Sequence, residues 1–600
     1  MNFRPITRLA LLAAVVLGQV ATQATAAQPK ADPGQELATQ ATGILRKYCH
    51  RCHGVQFKVP AYDVLNRDIL VATREGADPY ITPGKPEKSE LWDRMGSAEP
   101  QTGDAMPLSG PKPTDADKDI IKKWIVAGAP FPKATSRTPV RDQDIVKAMV
   151  DHLRGLDDGE RKFWRYFTLA TLYNNPSVRD DELRLARAAV SKLLNSLSQR
   201  RKIVVPDVLG PGQTILAVDI RRLGWQERDA WSAILRAYPY GLKFNNRRND
   251  EDLRRLAGEL SRLIDDEVGL LDVRADWFID SASRPPLYHA ILDLPGTAQA
   301  LEQRLAVDVE SDFLNVNLKR AGFARSDISH QNRLVDRHES SGTDYYWKSY
   351  DFRSNEGTGN IFKFPLGPVF TRNPFPRLAF EHAGGEIIFS LPNKLQAYLL
   401  VKGDGTRIDD GPPDIVGDDQ KNSGTTQVVN GLSCMGCHKD GMRTFKDDLR
   451  VGAELGGKAR ETLDLFTPQQ KVMDRVLRQD EAQFVKAVEE AAGPFLKVEE
   501  DKDKPIRAFP EPISTVAKLY QKDLGPEEMV AELGLKDVDE LKRLVQDNLQ
   551  LRKLGLGVFL GSGAAKRTEW DSLKDRTLST FHQVAVELGR GTPYRVFRAD

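Results

Sequence analysis

The first amphipathic pattern in the chain predicts a helix that runs directly into Cys49. Its apolar residues recur at helical spacing and are Leu37, Ala41, Ile44, Leu45 and Tyr48. A second helix is predicted to begin at a capping box formed by Thr114 and Asp117 and to end before Gly128 and Pro130. Its apolar stripe consists of Ile120, Ile121, Trp124 and Ile125. The pattern therefore predicts a small helical unit near the start of the chain.

Further along the chain, the apolar period changes twice. The segment DDELRLARAAVSKLLNSL has the period of a helix, and QTILAVDIRRLGW is typical of a strand followed by a turn. Between about residues 355 and 410, the short runs EIIFSL, LQAYLLV and TRIDD predict strands, and PNK and KGDG predict the turns between them. Helical patterns then extend from the segment after residue 442 to the end. We therefore predict a mainly α fold with a smaller β-rich middle part.

These changes of pattern, together with the linker PFPKATSRTP, predict a multi-domain chain. The predicted parts are a signal peptide over 1–27, a first domain over 28–135, a mainly helical middle domain over 136–354, a β-rich segment over 355–455 and a helical C-terminal region over 456–600.

The first 27 residues have the pattern of a secretory signal peptide. Arg4 and Arg8 precede the apolar run LALLAAVVLG, and small residues follow, so cleavage is expected after Ala26 or Ala27. A retained, uncleaved anchor is the alternative. The apolar run is about half the length that spans a bilayer, and no later stretch is long and uncharged enough to do so. We therefore predict export to the periplasm, with no integral membrane segment after cleavage.

Composition and charge are those of an ordinary globular protein. Hydrophobic residues make up 40% of the chain and charged residues 28%, and 86 basic residues against 85 acidic ones give a net charge of +1. This balance lacks the basic footprint of a nucleic-acid-binding protein, so no nucleic-acid partner is predicted.

All four cysteines of the chain lie in two copies of the motif Cys-x-x-Cys-His. The copies consist of Cys49, Cys52 and His53 in KYCHRCHG, and of Cys434, Cys437 and His438 in GLSCMGCHKDGM. In this motif the two thiols add across the vinyl groups of haem, and the adjacent histidine becomes the proximal ligand of the iron. The alternatives are a thioredoxin-like redox pair, a zinc site, which needs two more ligands at each copy, or chance. We predict two covalently attached c-type haems.

A loop after the first motif offers a second ligand to the first iron. Met106 lies in GDAMPLSG, a Gly- and Pro-rich loop about fifty residues beyond His53. A thioether on the open face of a haem iron stabilises the ferrous state and raises the potential. The alternative is a methionine that fills a gap in the core, as is expected of Met95. We predict that Met106 is the distal ligand.

Four segments resemble, in their order and spacing, the cytochrome c-like domain of large secreted proteins of planctomycetes and some proteobacteria: CHRCHG, ITPGKPEKSELWDRM, AMPLSG and DADKDIIKKWIVAGAPFP. The resemblance covers about residues 35–135. It implies a class I cytochrome c fold with His53 and Met106 as axial ligands. The remaining chain resembles secreted dihaem cytochromes, a resemblance that implies no particular chemistry.

The second haem lacks an obvious distal ligand. Nothing after His438 reproduces the AMPLSG loop, because Met442 is only four residues away and Met473 lies in a charged helical stretch. The distal residue is therefore expected from the middle of the chain, where the candidates are Tyr288 and His289 in DWFIDSASRPPLYHAILDLP and His382 in FEHAGGE. His289 is the first choice and His382 the second. The alternative for each is a hydrogen-bonded structural residue.

Three functions fit two covalent haems in an exported chain. The first, which we favour, is electron transfer to a periplasmic redox partner. The second is an oxidoreductase of the dihaem peroxidase or oxidase type, in which the His/Met haem feeds a haem with an open coordination site. The third is a redox-sensing or partner-binding haem protein. The motifs establish redox capacity rather than catalysis, so whether the protein is an enzyme stays open.

Overall fold

The structure is a computed structural model of the 600-residue chain. The described residues are 33–49, 53, 64–65, 67–74, 78–97, 99–108, 112–131, 137–244, 250–264, 269–326, 328–329, 331–561, 563–573 and 577–596. The predicted signal peptide and Cys52 lie outside them.

The chain divides into two compact units, residues 1–133 and residues 134–600. The larger unit spans the three parts that the pattern predicts after residue 136. One extended apolar core joins residues of all three parts, from Phe167 through Ile388 to Phe581. Segments with the apolar spacing of helices and segments with that of strands therefore bury their side chains in one common core.

The first unit is helical, and both predicted helices are confirmed. Its helices are α1 (Pro33–Tyr48), α2 (Arg67–Val71), α3 (Glu90–Gly96) and α4 (Asp115–Val126). The capping box of Thr114 and Asp117 is present at the start of α4. Helix α1 packs on α4, and the Tyr48 hydroxyl donates to Asp117 Oδ2 at 2.9 Å. Trp124 is fully buried, and its indole N–H donates to the Pro130 carbonyl at 2.6 Å.

The strands of the second unit form two main sheets and one short pair. They are β1 (Trp164–Thr168), β2 (Asp207–Leu209), β3 (Ile215–Asp219), β4 (Leu242–Lys243), β5 (Asp272–Arg274), β6 (Leu318–Phe323), β7 (Arg333–His338), β8 (Tyr346–Asp351), β9 (Gly384–Ser390), β10 (Gln396–Lys402) and β11 (Thr592–Pro593). The four-stranded sheet has the order β2-β3-β1-β5, and β4 pairs with β11. The five-stranded sheet has the order β10-β9-β8-β7-β6, and all its neighbours are antiparallel.

Helices surround these sheets. They are α5 (Asp142–Arg154), α6 (Asp158–Arg161), α7 (Ala170–Asn174), α8 (Asp180–Ser196), α9 (Ala230–Ala237), α10 (Glu251–Leu263), α11 (Ala275–Ala282), α12 (Leu287–Leu292), α13 (Ala298–Arg304), α14 (Val309–Leu314), α15 (Leu432–Cys437), α16 (Leu449–Gly452), α17 (Gly457–Phe466), α18 (Gln470–Leu496), α19 (Pro512–Tyr520), α20 (Pro526–Leu533), α21 (Val538–Asp547), α22 (Leu549–Lys553), α23 (Arg567–Trp570) and α24 (Thr580–Glu587). The protein is therefore mixed in class, with more helix than strand.

The five-stranded sheet crosses the boundary predicted at residues 354 and 355. Strands β6, β7 and β8 precede it, within the part predicted to be mainly helical, and only β9 and β10 follow it. The predicted strand TRIDD forms isolated bridges, such as that between Val401 and Arg407. The earlier strands were missed because they contain buried charged residues: Arg320 and Asp336 are both fully buried as an ion pair between β6 and β7.

Within the described part of the chain, we find no helix that combines the length and the apolar character needed to cross a membrane. The longest helix, α18, has 27 residues but carries charged side chains along its length.

Candidate cofactor site

The second Cys-x-x-Cys-His motif is carried by the short helix α15. Gly431 precedes the helix with a φ of +84°, and a Cβ there would lie 2.5 Å from the Ser283 carbonyl oxygen, so the position requires glycine. The helix keeps Cys434 and Cys437 one turn apart. The backbone N–H of His438 donates to the Cys434 carbonyl at 2.8 Å, which places the imidazole directly after that turn.

Helix α15 faces a cavity of about 380 Å³ between itself and the five-stranded sheet. This volume lies within the range of small-molecule and cofactor sites, roughly 300–1,000 Å³. Both thiol residues and His438 line the cavity. The motif therefore opens onto a space large enough for a cofactor.

The opposite wall consists of side chains from β6 to β9. Its apolar members are Phe323, Val335, Trp347 and Ile388, and its polar members include Arg333, Lys348, Ser349 and Glu386. The loop after the motif contributes Met442, Arg443, Thr444, Phe445 and Lys446. Arg325, Arg443 and Lys446 are exposed side chains, so the mouth of the cavity is cationic.

The His438 imidazole is held in one orientation. Its Nδ1 donates to the Gly441 carbonyl at 3.1 Å, and the ring lies 6.0 Å from the Tyr398 ring, centre to centre. With Nδ1 as the donor, Nε2 is the nitrogen left to bind a proton or a metal ion. Nε2 lies 3.7 Å from Glu386 Oε2. Such fixing of one ring nitrogen by a carbonyl is typical of histidines that bind a metal through the other.

Glu386 belongs to a polar network on the sheet. Its backbone N–H donates to Ser349 Oγ at 2.8 Å, and its Oε2 lies 3.9 Å from Arg333 Nη2. Arg333 is also paired with Asp351, with Nε 2.9 Å from Oδ1. Burial would raise the pKa of Glu386, but its contact with His438 and the Arg333 charge outweigh burial and lower the pKa to about 2. Glu386 is therefore an anion at neutral pH.

The two thiols of the second motif have raised pKa values. Burial raises the pKa of Cys434, and the nearby Glu386 carboxylate raises it further. Burial, together with the charges of Glu386 and Asp418, raises the pKa of Cys437 to about 11. Both cysteines are free rather than joined in a disulfide. Reactive dithiol centres have lowered thiol pKa values, so these properties do not favour a thioredoxin-like pair.

A zinc site finds no support either. Across the residues that the structure describes, no group of three or more His, Cys, Asp and Glu side chains is arranged to hold a metal ion. In the second motif, Cys434, Cys437 and His438 are therefore the residues that could hold a cofactor, as two thiols and one imidazole nitrogen.

His289 does not line this cavity. Its Nε2 lies 2.7 Å from Asn430 Nδ2, and its Nδ1 lies 3.5 Å from Asp409 Oδ1. Burial, assisted by the Arg407 charge, lowers the pKa of His289 to about 4. These contacts are those of the hydrogen-bonded structural histidine that was the alternative for this position.

His382 and Tyr288 are also absent from the described lining of the cavity. The His382 ring packs edge-on against Tyr350, 4.9 Å between centres, and burial lowers the pKa of His382 to about 4. The Tyr288 hydroxyl accepts from the Tyr398 backbone N–H at 2.9 Å. Tyr288 therefore supports Tyr398, the residue whose ring lies beside His438.

In the first unit, the motif follows α1 as predicted. The His53 backbone N–H donates to the Cys49 carbonyl at 2.9 Å, the same turn that joins His438 to Cys434. Burial and the Arg94 charge lower the pKa of His53. Arg94 also binds the methionine loop, because its carbonyl accepts from the Met106 backbone N–H at 2.7 Å and its Nε donates to the Asp104 carbonyl at 3.0 Å. Arg94 is thus a shared neighbour of His53 and of the loop that carries Met106.

The sequence pattern missed the sheet side of the cavity. The residues that form it, Trp347, Arg333 and Glu386, lie on strands far upstream of the motif, and no local sequence pattern around them predicts a site. Comparison with family models, with curated proteins and with solved structures finds no match for the chain. The geometry of the cavity and the two motifs are therefore the basis on which a function is proposed.

Proposed function

We propose that the protein is an exported dihaem c-type cytochrome that transfers electrons to a periplasmic redox partner. The observation that carries the proposal is the cavity of about 380 Å³, which is lined by both thiols and the imidazole of one Cys-x-x-Cys-His motif. A motif that occurred by chance would not be expected to line a cavity of cofactor size.

The roles of the chain's residues at the second haem follow from the cavity. Cys434 and Cys437 would hold the porphyrin through thioethers, and His438 would bind the iron through Nε2 while Gly441 fixes Nδ1. The apolar side chains of the sheet would exclude water from the bound cofactor. Cationic side chains at the mouth, such as Arg443 and Lys446, suit the carboxylate groups of the cofactor. When bound, each haem iron would supply one-electron transfer between its ferrous and ferric states.

For the first unit we propose a class I cytochrome c fold with His53 and Met106 as axial ligands. The packing of α1 on α4 and the contacts of Arg94 with the Met106 loop support this proposal. Cys49 and Cys52 would form the thioethers. A thioether ligand raises the potential of this haem, which suits the acceptance of electrons.

Covalent haem in both motifs is the test of the proposal. The exported full-length protein is expected to keep two haems per chain after denaturation, as measured by haem staining in a denaturing gel and by pyridine haemochrome quantification. A Cys434→Ser/Cys437→Ser variant should keep one. A wild-type chain with one haem or none, or haem that is lost on denaturation, contradicts the proposal.

A second candidate is an oxidoreductase that reacts with peroxide at the second haem. The observation that favours it is that His438 is the only histidine among the described residues lining the cavity. With no second imidazole in the described lining, a small ligand could compete for the distal face of the iron. Peroxide turnover that depends on one-electron reduction of the Met106 haem would support this candidate, and an inert protein with wholly low-spin haems would exclude it.

A further inference from the structure

His438 Nε2 and Glu386 Oε2 face each other at more than the usual hydrogen-bond distance. The two atoms, Nε2 and Oε2, are 3.7 Å apart, whereas an N–H···O bond brings nitrogen and oxygen to about 2.7–3.2 Å. Because Nδ1 donates to the Gly441 carbonyl, Nε2 is the ring nitrogen that faces Glu386 and is left to bind a proton or a metal ion. A carboxylate oxygen that faces this nitrogen is suited to a positive group, a proton or a metal ion, between the two atoms.

The separation fits two ligands on opposite sides of one metal ion. Metal ions such as zinc bind imidazole nitrogen and carboxylate oxygen at about 2.0–2.2 Å, so ligands trans to each other are about 4 Å apart. An outward shift of Glu386 by a few tenths of an ångström would reach this value. We propose that the Glu386 carboxylate is the sixth ligand of the second haem iron, opposite His438. The inference rests on the proposed function, since it requires haem at the second motif.

The sheet fixes this carboxylate where it is. Glu386 is registered opposite Leu400 of β10, and on the side of β8 it lies between the pairs Lys348–Ile387 and Asp351–Gly384, where Ser349 Oγ accepts from its backbone N–H at 2.8 Å. Arg333 is held by its ion pair with Asp351, and its Nη2 lies 3.9 Å from Glu386 Oε2. The positive charge of Arg333 therefore stabilises the Glu386 carboxylate. A ligand position built on a rigid strand and supported by a second layer of side chains is defined before the metal arrives.

The other possible donors of the lining are less well placed. Lys348 Nζ is bonded to Glu302 Oε1 at 2.8 Å, and Lys446 is an exposed side chain at the mouth. Met442 directly follows Gly441, the residue that holds His438 Nδ1, so its backbone lies on the histidine side of the site. Among these side chains, Glu386 is the donor that faces Nε2.

Carboxylate ligation would give the two haems different reduction potentials and spin states. A carboxylate oxygen is an anionic, weak-field ligand that stabilises ferric iron and lowers the potential, whereas the Met106 thioether raises it. The second haem would then be high-spin when ferric and lower in potential than the first. A strong-field ligand at position 386 would make it low-spin.

Three full-length variants test the assignment. Glu386→His places a strong-field nitrogen at the proposed ligand position, and the high-spin electron paramagnetic resonance signal of the second haem should be replaced by a low-spin one. Glu386→Gln removes the charge at equal size, and the potential of the second haem should rise. The affinity of its ferric form for added imidazole should also rise about tenfold, or 1.4 kcal/mol, because the competing carboxylate is gone.

Asp336→Asn is the matched control, since it removes a buried carboxylate from the same sheet, paired with Arg320, without touching the lining of the cavity or the partners of Glu386. It should leave the spin state of both haems unchanged. A low-spin second haem in the wild type would overturn the assignment without any variant. Two covalent haems whose spectra are unchanged in both Glu386 variants would overturn it while leaving the proposed function intact. A wild-type chain with no haem at the second motif would overturn both.

Discussion

Asp480 joins the long helix α18 to the sheet that forms the cavity wall. Its Oδ2 accepts from Arg337 Nε at 2.9 Å and from the Trp347 indole N–H at 2.9 Å, and its Oδ1 accepts from Arg337 Nη2 at 3.0 Å. The side chains of Arg337 and Asp480 are only 7% and 2% exposed. Asp480→Ala would leave a buried guanidinium without its carboxylate and a buried indole without its acceptor.

The expected cost follows from this burial. Removing one partner of a buried ion pair costs about 3–5 kcal/mol, and the lower end applies because Glu339 keeps a contact with Arg337 Nη1 at 3.1 Å. The unit from 134 to 600 has 600 − 133 = 467 residues. At about 2.1 cal/mol/K per residue, its unfolding entropy is about 1 kcal/mol/K, so a loss of about 3 kcal/mol lowers its thermal midpoint by about 3 °C.

Scanning calorimetry of the full-length protein measures this shift. The matched control is Glu490→Ala, which removes an exposed carboxylate from the same helix and should change stability by less than about 0.5 kcal/mol. The transition of the larger unit should move in Asp480→Ala and not in the control. A shift below about 1 °C relative to Glu490→Ala would refute the view that this ion pair secures α18 to the sheet.

Two further predictions concern the first haem and the C-terminal region. Met106→Ala should abolish the sulfur-to-iron charge-transfer band and lower the potential of the first haem only, as measured by near-infrared absorption and redox titration; an unchanged band would remove Met106 as a ligand. His582 is fully buried and bonded through Nε2 to the Gly241 carbonyl at 2.9 Å, and burial lowers its pKa to about 4. As the pH falls, this histidine therefore takes up a proton in the unfolded chain before it does so in the folded chain. The stability that neutral His582 contributes is fully present above pH 6.5 and is lost, by about 3 kcal/mol, as the pH falls towards 4. His582→Gln should flatten the pH dependence of the thermal midpoint in that window, and an unchanged slope would contradict the buried neutral state.

Local patterns were enough to predict the elements whose signal lies within a few residues. The capping box at Thr114 and Asp117 and the apolar stripe with Trp124 are such signals, and α4 forms where they indicate. The two motifs are local in the same sense, because both thiols and the histidine lie within five consecutive residues. Strand β3 and the pair β9 and β10 are apolar runs bounded by turns, and they too were predicted.

The remaining strands depend on partners that a linear pattern does not show. Arg320 and Asp336 are registered opposite each other on β6 and β7, and two charge-assisted bonds of 2.7 and 2.6 Å allow both to be fully buried. In the sequence alone, an arginine or an aspartate predicts an exposed position. The same applies to Glu386, a strand residue whose relation to His438 exists only after the sheet and α15 have packed together.

The burial of Cys434 determines when a cofactor could be attached. This residue is only 2% exposed, beneath a wall of strands that extends from β6 to β9. An attachment enzyme needs free access to both thiols, which the finished protein does not offer. Under the proposed function, we therefore expect haem to be attached to the still open chain, with the sheet closing afterwards around a porphyrin that is already bonded.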